Sequence, residues 1–169
     1  MRKLGYKGKK TAKIIHICFI IIWVGGLISW LPLMINIKTD NYSLVYNTYL
    51  NLQTLAYAIV GWAGIGTLLT GLVLGIFTDW KLFKFQWVNI KFYTFFLLTF
   101  FEYFFVQLKL FKSVSLLHDN GAAALSDPLF LSNHSAIILG VSIQLIVFLG
   151  LIIISFFKPL TQKERLKKN

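Results

Sequence analysis

Three ionisable side chains sit inside apolar runs of this 169-residue chain: His16, Lys91 and Glu102. An imidazole bordering hydrocarbon is costly unless it faces a protein interior, binds a metal or cofactor, or reaches back to the interface. His16 lies in the stretch Lys13-Ile-Ile-His16-Ile-Cys-Phe-Ile-Ile-Ile-Trp23-Val-Gly25-Gly26-Leu27. A histidine there can ligate a metal or haem iron, or handle protons near neutral pH. It can also simply bond a neighbouring backbone at the interface. Lys91 offers an ammonium for an anionic partner, or it snorkels to headgroups on its four-carbon stem. Glu102 follows Lys91 by eleven residues, about 16 Å along a helix axis, too far for a direct pair. It reads as an interfacial carboxylate meeting Lys109 or the loop beyond.

Membrane helices must position these groups. Hydrophobic residues make up 57% of the chain and aromatics 17%, against 14% charged, and a soluble domain of this size could not hide that much apolar surface. Four stretches are long enough to cross a bilayer core, at about 14–35, 54–78, 87–108 and 134–157, since a span needs roughly 20 helical residues. The expected fold class is therefore all-α, an integral membrane four-helix bundle forming one domain over residues 1–169. The first run is too long for the apolar part of a signal peptide and reads as a retained helix.

Charge sets the orientation. Arg2, Lys3, Lys7, Lys9, Lys10 and Lys13 precede the first span, Lys81 and Lys84 join the second to the third, and Lys158, Lys163, Arg165, Lys167 and Lys168 follow the fourth. Only Lys38, Lys109 and Lys112 fall on the other side, so the positive-inside rule places both termini in the cytoplasm. The net charge of +11 then follows from basic segments touching anionic lipid, and no nucleic-acid-binding motif accompanies it. The single Cys18 excludes an intramolecular disulfide.

Helical phase shows which residues point together. His16, Phe19, Ile20, Trp23, Leu27 and Trp30 share a face, with Gly26 at its edge. Trp87, Lys91, Thr94, Phe95, Leu98, Glu102 and Phe105 share another. His16 and Lys91 both lie within the first one or two turns from the cytoplasmic side of parallel spans, which leaves open whether they share a pocket at one height. Ala63, Thr67, Gly71 and Gly75 recur every four residues, a small-residue face that lets helices approach closely or leaves room for a flat ligand.

The connections are read as loops at 36–53 and 109–133 and a tight hairpin at 79–86. In the longer loop, Ala122-Ala123-Ala124-Leu125 suits a short surface helix, and Asn133 or Ser132 would cap a fourth helix opening at His134. His118, Asp119, His134 and Glu102 offer a second, external set of metal ligands. The tail beyond Pro159 reads as charged and mobile.

His16, Trp23, Gly26 and Leu27, then Leu31-Pro32, and later Trp87-Val88-Asn89-Ile90-Lys91 resemble the pattern of the HemJ-type membrane protoporphyrinogen oxidases. The segment from Thr70-Gly71 through Trp80-Lys81-Leu82-Phe83 to Lys91 is also similar to a broad bacterial family of small integral membrane proteins. These resemblances imply a multi-pass protein of the bacterial cytoplasmic (inner) membrane. The first implies haem b in the bundle, with His16 as axial metal ligand, Trp23, Gly26 and Trp87 around the cofactor, and Lys91 as the catalytic or propionate-neutralising partner. The third span ends Glu102-Tyr103-Phe104-Phe105, without a second imidazole.

Two functions are therefore expected. One is a non-catalytic membrane module or accessory subunit, packing through its small-residue face in a homo-oligomer or with a membrane partner. The other is a haem-binding redox protein working with a porphyrin-like or quinone-like reductant.

Overall fold

The computed structural model describes residues 3–37, 40–78 and 85–157. Among them the chain is all-helical, built from four helices long and apolar enough to cross a membrane: α1 (Tyr6–Ile35), α2 (Tyr42–Phe77), α3 (Gln86–Ser126) and α4 (Pro128–Phe157). Large apolar side chains point outward on every helix, including Ile21, Trp62, Leu97 and Ile146, each more than 60% exposed. A soluble surface does not carry apolar residues at this density.

The helices are longer than the apolar runs, which corrects the reading of 36–53 and 109–133 as loops. Asn41 caps α2 by accepting from the Leu44 backbone N–H at 3.0 Å, and the first turns bury Val45, Tyr49 and Leu52 on one face. Polar residues between them hid this helical period from an argument based on hydropathy. At the far end of α3, Leu110, Ser113 and Leu117 are buried in the same way. The helix stops where Gly121 takes a φ of 57°, a conformation that suits a residue without Cβ. A 3₁₀ turn over Gly121–Ser126 follows, as expected for the Ala-rich patch.

The fourth helix does not open at His134. Asp127 accepts from Leu129 N–H at 2.7 Å and Pro128 takes the first helical position, where its missing N–H costs nothing. Asn133 is buried in the helix rather than capping it. The hairpin from 79 to 84 and the tail after Phe157 lie outside the described residues.

Two helices carry π-helical segments, Ala56–Gly61 in α2 and Glu102–Gln107 in α3. Such segments interrupt the usual i→i−4 ladder and re-aim the side chains that follow. The core runs along the bundle through Trp23, Leu27, Trp30, Tyr49, Leu52, Val106, Leu110, Phe130 and Ile137. Gly66 packs under the Phe19 ring, and a Cβ at Gly64 would reach Trp23 at 3.7 Å. The small residues of α2 thus seat the aromatic face of α1.

Candidate functional site

The bundle is not equally tight along its length. The later part of α3 packs closely on α2 and α4, whereas its first part, Gln86–Phe101, stands off from both. Within this splay lies a cavity of 310 Å³. Its walls include Trp23, Trp87, Phe92, Phe95 and Phe148, and its polar groups are Lys13, His16, Thr67, Lys91 and Ser155. The structure thus brings together four of the residues singled out from sequence: His16, Trp23, Trp87 and Lys91.

Gly26 stands apart from them. A Cβ there would meet Val60 at 2.9 Å, so Gly26 serves the contact of α1 with α2 and does not line the cavity.

Hydrogen bonding fixes the state of the His16 ring. Its Nδ1 lies 2.8 Å from the Thr70 hydroxyl oxygen. That hydroxyl has one hydrogen, directed at the Gly66 carbonyl 2.6 Å away, with the Thr67 carbonyl at 3.2 Å. With that hydrogen engaged there, the Thr70 oxygen accepts from His16 Nδ1–H, the arrangement of the Nδ1-protonated neutral ring. Gly71 keeps the ring in place by absence of bulk, since a Cβ would stand 3.3 Å from His16 Cε1. A histidine whose ring is oriented through Nδ1 is the arrangement that ligand-binding histidines use.

The remaining groups are held by aromatic contacts. Lys91 Nζ sits 4.7 Å from the centre of the Trp87 ring, a cation–π distance that keeps the ammonium beside the cavity. Trp23 meets Phe95 and Phe148 edge to face, with ring centres 5.3 and 4.6 Å apart. These contacts make the aromatic wall rigid.

Several participants were not evident from sequence. Thr70 carries no signal beyond its place one turn from Gly66. Phe148 and Ser155 share a face of α4, seven residues apart, but the helix is apolar on all sides and that face does not stand out.

The external metal-ligand set does not assemble. His118 bonds Tyr46 through Nδ1, His134 bonds Tyr49 at 2.8 Å, and among the described residues no three His, Cys, Asp or Glu side chains come together as a metal site. Glu102 is not interfacial either. It is buried, accepting from Gln107 and Gln144, while Lys109 lies over the Phe105 ring at 5.3 Å. Comparison of the chain with protein-family models, curated proteins and solved structures finds no match.

Proposed function

We propose that this protein is a non-catalytic ligand-binding module of the bacterial cytoplasmic membrane, with both termini inside. Its cavity takes the planar head of a quinone-type amphiphile. The observation that carries this reading is the pairing of the His16 imidazole with the Lys91 ammonium in one aromatic-walled space. A quinone carbonyl accepts from Lys91, a quinol hydroxyl donates to His16 Nε2, and the flat ring suits walls built from Trp23, Trp87 and Phe95. The apolar chain of such a ligand would extend into the surrounding hydrocarbon.

Haem b suits this cavity in donor type, while the cavity's size favours a smaller planar head. His16 is a suitable axial ligand and Lys13 and Lys91 suit propionates. A volume of 310 Å³, however, is at the floor of the range of about 300–1,000 Å³ that holds small organic ligands. Phe95 and Phe148 pack edge to face on Trp23, so a macrocycle would require this wall to open.

Titration of the purified protein with a short-chain quinone analogue, followed by quenching of tryptophan emission, tests the reading. Saturable quenching is expected, weakened at least about tenfold by His16→Ala or Lys91→Leu, the cost of losing one good polar contact. Quenching that never saturates and is the same in both variants would mean partition into detergent and would sink the proposal. A Soret band that disappears in His16→Ala would instead favour haem.

A further inference from the structure

We propose that Glu102 is a proton-binding site in the closed part of the bundle, holding a neutral carboxylic acid at neutral pH. This site is separate from the His16–Lys91 cavity. Trp23 contacts Phe95 across the α1–α3 interface, and Glu102 lies seven residues beyond Phe95, roughly 10 Å further along the bundle and away from His16.

The surroundings of Glu102 give its charge no counterpart. The residue is 8% exposed, and among the described residues its polar partners are the side chains of Gln107 and Gln144. The charged group closest in sequence, Lys109, lies over the Phe105 ring. The stretches of α1 and α4 at this height, residues 23–35 and 137–151, contain no titratable side chain. On α2, Tyr49 is bonded to His134 and Tyr57 stacks on Phe111. A carboxylate here would be desolvated with no cation to offset it, whereas a carboxylic acid needs only a hydrogen-bond acceptor.

The geometry supplies that acceptor. Glu102 Oε2 and the Gln144 amide are 2.5 Å apart, at the short edge of the O–H···O range and below the usual N–H···O range. With Gln144 Nε2 facing the carboxyl, Gln144 Oε1 is buried without a partner, although Gln144 is 0% exposed. Turning the amide over lets the acid O–H donate to the Gln144 oxygen and moves the amide N–H₂ to the buried position that Oε1 held. Gln107 Nε2 still donates to Glu102 Oε1, the carbonyl oxygen of the acid. The π segment makes this second contact, because Glu102 and Gln107 are five residues apart and only i→i+5 winding brings them onto one side.

Infrared spectroscopy of the protein in lipid tests the assignment. The chain has six acidic residues, and the other five, Asp40, Asp79, Asp119, Asp127 and Glu164, lie in connections, at helix ends or in the tail. The wild type is expected to show a protonated-carboxyl C=O band at pH 7 that shifts in D₂O and is lost in Glu102→Gln. Glu102→Gln, which replaces a neutral acid by a neutral amide, is expected to keep the wild-type thermal midpoint. Absence of the acid band from the wild type at pH 7 would overturn the proposal, whatever the stability of the variant, as would a band that persists in Glu102→Gln.

Discussion

Gly140 is a point of close approach between α4 and α3, and adding one methyl group there tests how the closed part of the bundle is held. A Cβ on Gly140 would stand 2.8 Å from Val106 Cγ2 and 3.1 Å from Phe105 Cδ1. Val106 is fully buried, and a β-branched side chain in a helix has essentially one rotamer, so it cannot swing aside. The helices must separate instead, and the Glu102–Gln144 contact lies four residues away on each of them. Overpacking of this kind costs about 1–3 kcal/mol. We expect Gly140→Ala to lower the unfolding free energy by that amount in a reversible denaturation assay in mixed micelles. Val106→Ala makes the missing space, so the double variant should be more stable than the two single losses predict, with a coupling of about 0.5–3 kcal/mol. Gly25 and Gly150 are the controls, because nothing lies within 4 Å of a Cβ at either. Alanine at those positions should be neutral or stabilising by up to about 1 kcal/mol, from helix propensity alone. If Gly140→Ala behaves like these controls, or if Val106→Ala gives no compensation, the packing argument is wrong.

Three further outcomes follow from single contacts. Thr70→Val removes the acceptor for His16 Nδ1–H and should weaken quinone-analogue binding by about tenfold, in line with the loss of other groups that orient a ligating histidine; unchanged affinity would show that the ring needs no support. Asp127→Ala deletes the cap of α4 and should cost about 0.5–2 kcal/mol, read as faster amide exchange in the first turn after Pro128. Tyr49→Phe removes the bond to His134 from a side chain that is 0% exposed and should cost about 1 kcal/mol, more if the imidazole is left without another partner. A neutral effect in thermal denaturation would mean that the hydroxyl is replaced by water.

The sequence made the cavity legible because its polar residues are conspicuous. His16 and Lys91 break long apolar runs, and helical phase alone puts Trp23 and Trp87 on their faces. Height was legible too, since both residues fall near the start of apolar runs that cross in the same direction. Gly26 misled because its place beside the aromatic face does not reveal that Val60 fills the space above it. Asn41 and Asp127 are ordinary caps, yet hydropathy weighting assigned the residues around them to loops. Glu102 shared a face with the buried Trp87 and Leu98 in the sequence, but its contact with Gln107 was not legible, because the π segment changes the phase of the α3 residues after it. Gln144 carried the same signal as His16, a polar group inside an apolar run, and its partner became visible only when α3 and α4 were packed together.

Photo-crosslinking maps the central claim directly. The protein in lipid is illuminated with an azido-quinone of short chain, and the adducts are located by peptide mass spectrometry. Adducts should concentrate on cavity residues such as Lys13, Trp87 and Lys91 and should be competed away by unlabelled quinone, with the His16→Ala/Lys91→Leu double variant losing them. Adducts spread over the outward apolar surface, at positions such as Ile21, Leu97 and Ile146, and indifferent to competitor, would contradict the account.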